Sequence, residues 1–247
     1  MNVDAHEDFL RDTVYFTKTR WPFYELLLAD LRNLSAEEGP VWALERRFNK
    51  ESRLTPYFQN FGSIECQKVA KAQTWWPLYM ADQTRPVLVV IHNLLHHVRD
   101  VEGFMADVCK RILAPGGRLY VFEPLFRELH QEPDHWQMFT PYGMMDLMRR
   151  HGLHVETTQR TGDAFEAAAY CLDQALQYIP ERALRYVHNP TEPRLMGSSS
   201  GMDVFAWKMR VAFKHLMERP VQGLDVNQVR EHTSFPTAYS VVGRRPK

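Results

Sequence analysis

Residues 87–124 read VLVVIHNLLHHVRDVEGFMADVCKRILAPGGRLYVFEP, and this stretch decides the fold. Val87-Leu88-Val89-Val90-Ile91 is a continuous apolar, β-branched run of the kind that forms a strand buried on both faces. Val101–Leu113 places Phe104, Val108 and Ile112 at helical spacing with polar residues between them. Pro115-Gly116-Gly117 stops that helix and turns the chain into Arg118-Leu119-Tyr120-Val121-Phe122, a second buried strand. Strand, helix, tight turn and strand make a βαβ unit.

Downstream, Thr140 is placed to cap a helix that opens on Pro141 and runs to His151-Gly152, and Leu153–Thr158 follows as a strand. The alternation from Val87 to Thr158 predicts a mostly parallel sheet covered by helices on both faces. Upstream, Phe23–Leu34 reads as a lead-in helix and Val41–Leu44 as a short buried strand. Arg53–Phe61 reads as a brief helix or turn leading to Gly62, and Ile64–Val69 as a further strand. Trp75-Trp76-Pro77 breaks the regularity. After Gln159 the pattern turns helical, with Phe165–Ile179 and Val204–Met217 separated by a Pro-, Gly- and Ser-rich loop, and Ala238–Gly243 closes the chain as a last strand. The reading gives a helical lead-in over 1–40, an α/β domain over 41–158 and 235–247, and a helical insertion over 159–234 that serves as lid or association surface.

The 247 residues are 45% hydrophobic, 12% aromatic and 24% charged, with 30 Lys+Arg balancing 30 Asp+Glu. Such a chain has the apolar content for a full core, which excludes intrinsic disorder. Zero net charge without long charge runs argues against nucleic acid or an anionic membrane as partner. Cys66, Cys109 and Cys171 are odd in number and in no CxxC spacing, so neither a disulfide framework nor a zinc site is expected. With an acidic start and no apolar run long enough to span a bilayer, the expected location is the cytoplasm.

The segments Val87–Asp100, Leu113–Pro124 and Phe139–Val155 together resemble the class I S-adenosylmethionine-dependent methyltransferases. The first is similar to that family's fourth strand and following loop, the second to the turn into its fifth strand, and the third to its last helix and sixth strand. The resemblance implies a Rossmann-like sheet of seven strands whose final strand, Ala238–Gly243, is antiparallel. It also implies a crevice beyond the carboxyl ends of the strands. By resemblance, Glu45, Asn93 and Leu94 hold vestigial cofactor positions. His97 and Glu123 are the candidates for handling a proton, with His130 and His135 at the same mouth.

Other features of the family pattern are missing. Glu45 is followed by Arg46-Arg47-Phe48-Asn49-Lys50, with no glycine to let backbone approach a cofactor. If Ile64–Val69 is the second strand, Val69-Ala70-Lys71 offers no carboxylate for the ribose; if it is the third, the second is absent. The 41 residues Arg46–Pro86 fall short of the roughly 60 that three helices and two strands need, so the sheet is expected to be truncated on the cofactor side. His92, His96 and His97 lack a neighbouring carboxylate or cysteine at ligand spacing and read as loop histidines rather than a metal cluster. Trp75-Trp76 and the broadly apolar Val204–Met217 helix suit an interface with a second subunit or another protein.

Two functions remain open at this point. One is a pseudo-methyltransferase with no cofactor in the isolated chain, acting as structural or activating partner of another protein, in a homo- or hetero-oligomer such as a dimer with an active methyltransferase. The other is an active enzyme that binds S-adenosylmethionine atypically and methylates a small molecule. A cofactor-independent enzyme reusing the pocket ranks below both.

Overall fold

The computed structural model describes residues 21–36, 38–45, 52, 54–65, 85–127, 135–162 and 236–247, with scattered positions between 164 and 171. Their elements are α1 (Trp21–Leu34), β1 (Val41–Glu45), a 3-10 turn (Thr55–Tyr57), β2 (Phe61–Glu65), β3 (Leu88–His92), a second 3-10 turn (Leu95–His97), α2 (Val101–Asp107), β4 (Arg118–Pro124), α3 (Pro141–Arg150), β5 (His154–Thr161) and β6 (Ala238–Arg244). Six strands form one sheet in the order β2-β1-β3-β4-β6-β5. Pairings among β2, β1, β3 and β4 are parallel, and β6 runs antiparallel between β4 and β5. The antiparallel final strand is as expected; the seventh strand is not among the described residues.

Two-residue periodicity divides the strands between two cores. Trp42, Leu44, Val89, Ile91, Leu119, Val121, Tyr239 and Val241 pack on one face with Phe104, Met105, Val108 and Ile112 of the helix after β3 and with Met144, Leu147 and Met148 of α3. Val41, Ala43, Leu88, Val90, Tyr120, Phe122 and Ala238 pack on the other with Leu27, Leu28, Leu31 and Leu34 of α1. Buried on both faces, these strands had to be continuous apolar runs, which is how the sequence displays them. Edge strand β5 is mostly exposed and correspondingly polar.

α2 passes into a π-helical turn over Val108–Ile112, where the Leu113 amide reaches back to the Val108 carbonyl at 2.9 Å. Gly116 sits at φ 77°, and a Cβ on Gly117 would lie 2.9 Å from the carbonyl oxygens of Ala114 and Val87. The close return of the chain onto β3 therefore requires the glycine pair. At α3 the Thr140 hydroxyl accepts from the Gly143 amide at 3.1 Å, the expected cap.

Two expectations need correction. The described part of β2 is Phe61–Glu65, starting three residues before the expected Ile64, and it pairs with β1 in parallel from Val41↔Phe61 to Glu45↔Glu65; residues 66–69 lie outside the described residues. It is therefore the second strand in chain order, with Glu65 opposite Glu45. The strand begins where Gly62 leaves room for the Trp42 ring, whose Nε1 a Cβ would approach to 3.3 Å. Glu123 lies within β4 and is 2% exposed, so it is part of the interior and not of a solvent-lapped mouth. Trp75, Trp76, His130 and the 204–217 helix lie outside the described residues; of Phe165–Ile179, Ala167, Ala168, Tyr170 and Cys171 are helical.

Candidate functional site

Parallel strands that end together create a crevice at their carboxyl ends. Here β1 ends on Glu45, β2 on Glu65 and β3 on His92, with Glu45 and Glu65 in register. Glu45 is buried, and its Oε2 lies 3.2 Å from Nε2 of His92. An ionised carboxylate only accepts, so it pairs with a proton on Nε2, and in the neutral imidazole that tautomer makes Nδ1 an acceptor. Asn93 follows at φ 50°, a left-handed conformation that asparagine tolerates better than most residues. Its amide donates to the Phe122 carbonyl at 2.9 Å, which ties the turn to β4. Nδ1 of His92 and Oδ1 of Asn93 are both shut off from solvent, and neither has a hydrogen-bond partner among the described residues.

On the β4 side, Glu123 organises the loop that follows. Its Oε1 accepts from the amides of Leu94 and Leu95, each at 2.7 Å, and its Oε2 accepts from Nδ1 of His96 at 2.6 Å. Three short bonds to one buried carboxylate are charge-assisted and strong. The His96 ring lies 4.0 Å from the His97 ring and 5.1 Å from that of His135. The segment carrying His135 is fastened to the same loop: the Trp136 amide donates to the His96 carbonyl at 2.8 Å, and Gln137 Nε2 to the Val98 carbonyl at 2.7 Å. Arg99 stacks over the Trp136 ring. Tyr239 closes the arrangement from β6; burial, reinforced by the negative Glu123, pushes its phenol well above the ordinary tyrosine value.

These contacts place the expected site residues. Glu45 and Asn93 face the β1–β3 end of the crevice, whereas the Leu94 amide is consumed by Glu123 and its side chain is buried. His97 is buried beside His96 and His135. No group of three or more His, Cys, Asp or Glu could hold a metal ion among the described residues. Sequence reading missed two features. Glu65 was hidden because Phe61-Gly62-Ser63-Ile64-Glu65 has no continuous apolar run, and the Glu45–His92 pair joins residues 47 positions apart.

The resemblance implies a carboxylate for the ribose hydroxyls at the end of the second strand, and the described part of β2 runs to Glu65. The first strand does not fit the ordinary mode: its Glu45 carboxylate is buried against His92, and no glycine occurs between Glu45 and Lys50.

No family model matches the chain, and no curated protein matches it. Several solved structures are similar in shape. The YcgJ protein from Bacillus subtilis is 12% identical with a TM-score of 0.43, over 89% of this chain and 97% of that one. The cyclase SpnF is 13% identical with a TM-score of 0.44, over 89% and 82%. Phosphoethanolamine N-methyltransferase 2 of Haemonchus contortus, in complex with S-adenosyl-L-methionine, is 12% identical with a TM-score of 0.43, over 98% and 60%. From its strand order, its parallel β1, β3 and β4 and its inserted antiparallel β6, the chain has the Rossmann-like fold of the class I S-adenosylmethionine-dependent methyltransferases.

Proposed function

We infer that the protein is a methyltransferase-like chain that does not hold the cofactor in the ordinary way and acts as a structural or activating partner of another protein, an active methyltransferase being the most economical choice. One observation carries this reading: no glycine occurs between Glu45 and Lys50 in the sequence after β1, and the acid at the end of β1 is engaged by His92. A cytoplasmic location fits the zero net charge and the free, unpaired Cys109 and Cys171. Among the described residues no helix is long and apolar enough to cross a membrane.

The second reading, an active methyltransferase of a small molecule with an atypical cofactor site, is favoured by Glu65 at the end of β2. In that case His97 or Glu123 would handle a proton, although the three hydrogen bonds already on Glu123 suit it better to positioning the loop than to exchanging protons. Titration calorimetry of the purified chain with S-adenosylmethionine and S-adenosylhomocysteine separates the two. The first reading expects no binding up to about millimolar, where association is worth only about 4 kcal/mol. Micromolar binding by the isolated chain would overturn it, and light scattering on the same preparation reports whether the chain self-associates.

A further inference from the structure

We propose that the end of the sheet opposite the crevice docks an acidic helix of another protein, recognised by a row of basic residues that crosses three strands. The inference rests on the partner reading above and names the partner's chemistry. Arg118 opens β4 directly opposite Arg244 of β6, and Arg244 lies directly opposite His154, which opens β5. Directly opposite residues share a face of the sheet, so the three side chains stand in line, one per strand and about 5 Å apart. His154 is exposed, and the Arg244 side chain is 43% exposed. The residues after β6 extend the row. The Arg245 amide donates to the Gly117 carbonyl at 2.8 Å, and its Nη1 donates to the Leu113 and Lys110 carbonyls at 2.5 and 3.3 Å, which brings the guanidinium beside exposed Lys110. Exposed Lys247 lies over Gly116, its Cγ 3.3 Å from where a Cβ would stand. Like charges directly opposite in a sheet are destabilising, so the row gains from carboxylates brought to it. Glu156 already engages Arg244, and a carboxylate is thus a group that the row takes up. On a helix, side chains three and four residues apart are about 5–6 Å from one another, which matches the spacing across the strands. The fitting partner therefore carries Asp or Glu at successive three- and four-residue intervals. A nucleic acid is the poorer match, because the row holds no aromatic side chain on which a base would stack and the whole chain has no net charge.

The probe is a fluorescein-labelled, capped, alanine-rich helical peptide with glutamate at every fourth position, and its binding to the full chain is read by anisotropy at low ionic strength. The chain should prefer it to the same peptide with glutamine in place of glutamate, and the preference should fade as salt is raised. Arg244→Gln combined with Lys247→Gln should weaken binding about tenfold, each exposed pair being worth at most about fivefold. Arg160→Gln, near the far end of β5 opposite Tyr239, should change it less than about twofold. If Arg244→Gln alters the circular dichroism, Lys110→Gln with Lys247→Gln serves instead, both side chains being exposed, and the same loss is required. No preference for the glutamate peptide, or an equal loss in Arg160→Gln, overturns the proposal. Tighter binding of a labelled single-stranded oligonucleotide, lost in the same variants, overturns it in favour of a nucleic-acid surface. Micromolar binding of S-adenosylmethionine by the isolated chain would overturn the partner reading by itself, without altering the response of peptide binding to these variants, so the two failures are distinguishable.

Discussion

Replacing Glu123 tests what holds the crevice loop in place. In Glu123→Ala the amides of Leu94 and Leu95 and the Nδ1 proton of His96 lose their acceptor together, in a region where Glu123 and His96 are 2% and 1% exposed. Each orphaned donor costs about 1–3 kcal/mol, so the three together cost at least about 3 kcal/mol, a large share of the roughly 5–15 kcal/mol that stabilises a typical domain. Glu123→Gln separates charge from geometry. Its carbonyl oxygen keeps both backbone amides, and its amide nitrogen donates to Nδ1 once His96 moves its proton to Nε2. The expected loss is then about 1 kcal/mol, the net value of one hydrogen bond, accompanied by a tautomer change at His96. Urea unfolding followed by tryptophan fluorescence measures both losses, and nitrogen-15 spectra measure the tautomer. If Glu123→Ala unfolds within 1 kcal/mol of the wild type, or if Glu123→Gln is as damaging as alanine, the carboxylate is not the anchor that its three bonds imply.

On the opposite face of the sheet, Asp30 accepts from Tyr120 and Gln159, each at 2.9 Å, and burial raises its carboxyl above 3.8. A raised acid contributes stability below its unfolded value and loses it as pH climbs through the folded one. Tyr120→Phe removes a donor that favours the carboxylate, so it should cost about 1.5–3 kcal/mol at neutral pH but only about 0.5–1.5 kcal/mol as pH falls toward 3.8; a loss independent of pH in urea titrations would contradict this. Gly117→Ala should destabilise by about 1–3 kcal/mol, because its Cβ meets fixed backbone oxygens. Gly143→Ala, which meets only the Thr140 hydroxyl at 3.4 Å, should hold or raise the melting temperature. Equal melting temperatures for the two variants would refute the contrast. Burial pushes the Cys109 thiol up to about 12, whereas Cys171 is exposed. In a Cys66→Ser background one thiol should therefore colour Ellman's reagent promptly and the second only after denaturant is added; two prompt thiols would place Cys109 at the surface.

How much of this was legible in the sequence depended on which force wrote each element. β3, α2 and β4 were legible because strands buried on both faces must be apolar throughout, and because Gly116-Gly117 admits no side chain at the turn between them. The register of β2 was not, since its position is set by pairing with β1 and by the fit of Gly62 under Trp42, neither of which leaves a local pattern. Helix α1 shows the intermediate case. Its apolar positions Phe23, Leu26, Leu27, Leu28 and Leu31 announced a helix, but that Leu27, Leu28, Leu31 and Leu34 cover β1, β3 and β4, with a buried Asp30 bound to Tyr120, is knowledge of the tertiary fold. At the site, residue types were legible and partnerships were not: Glu123 reads as the acid after a strand, yet its donors lie 27–29 residues away.

Those partnerships share one source. β3 lies between β1 and β4, and the segment leaving it supplies an imidazole to each side: His92 to Glu45 of β1, and His96 to Glu123 of β4. The left-handed turn at Asn93 makes this possible by redirecting the chain after a single residue, so that the Leu94 and Leu95 amides swing onto Glu123 while His92 remains in the strand. The two histidines are not equivalent in consequence. His96 is 1% exposed, enclosed by His97 and His135, and bound to an acid that is also holding two backbone amides. Moving a proton there would disturb the loop itself. His92 is bound to Glu45 of β1, and its ring is 17% exposed. The β4 side therefore fixes the turn through three bonds to Glu123, and the β1 side meets the end of β3 through the Glu45–His92 contact.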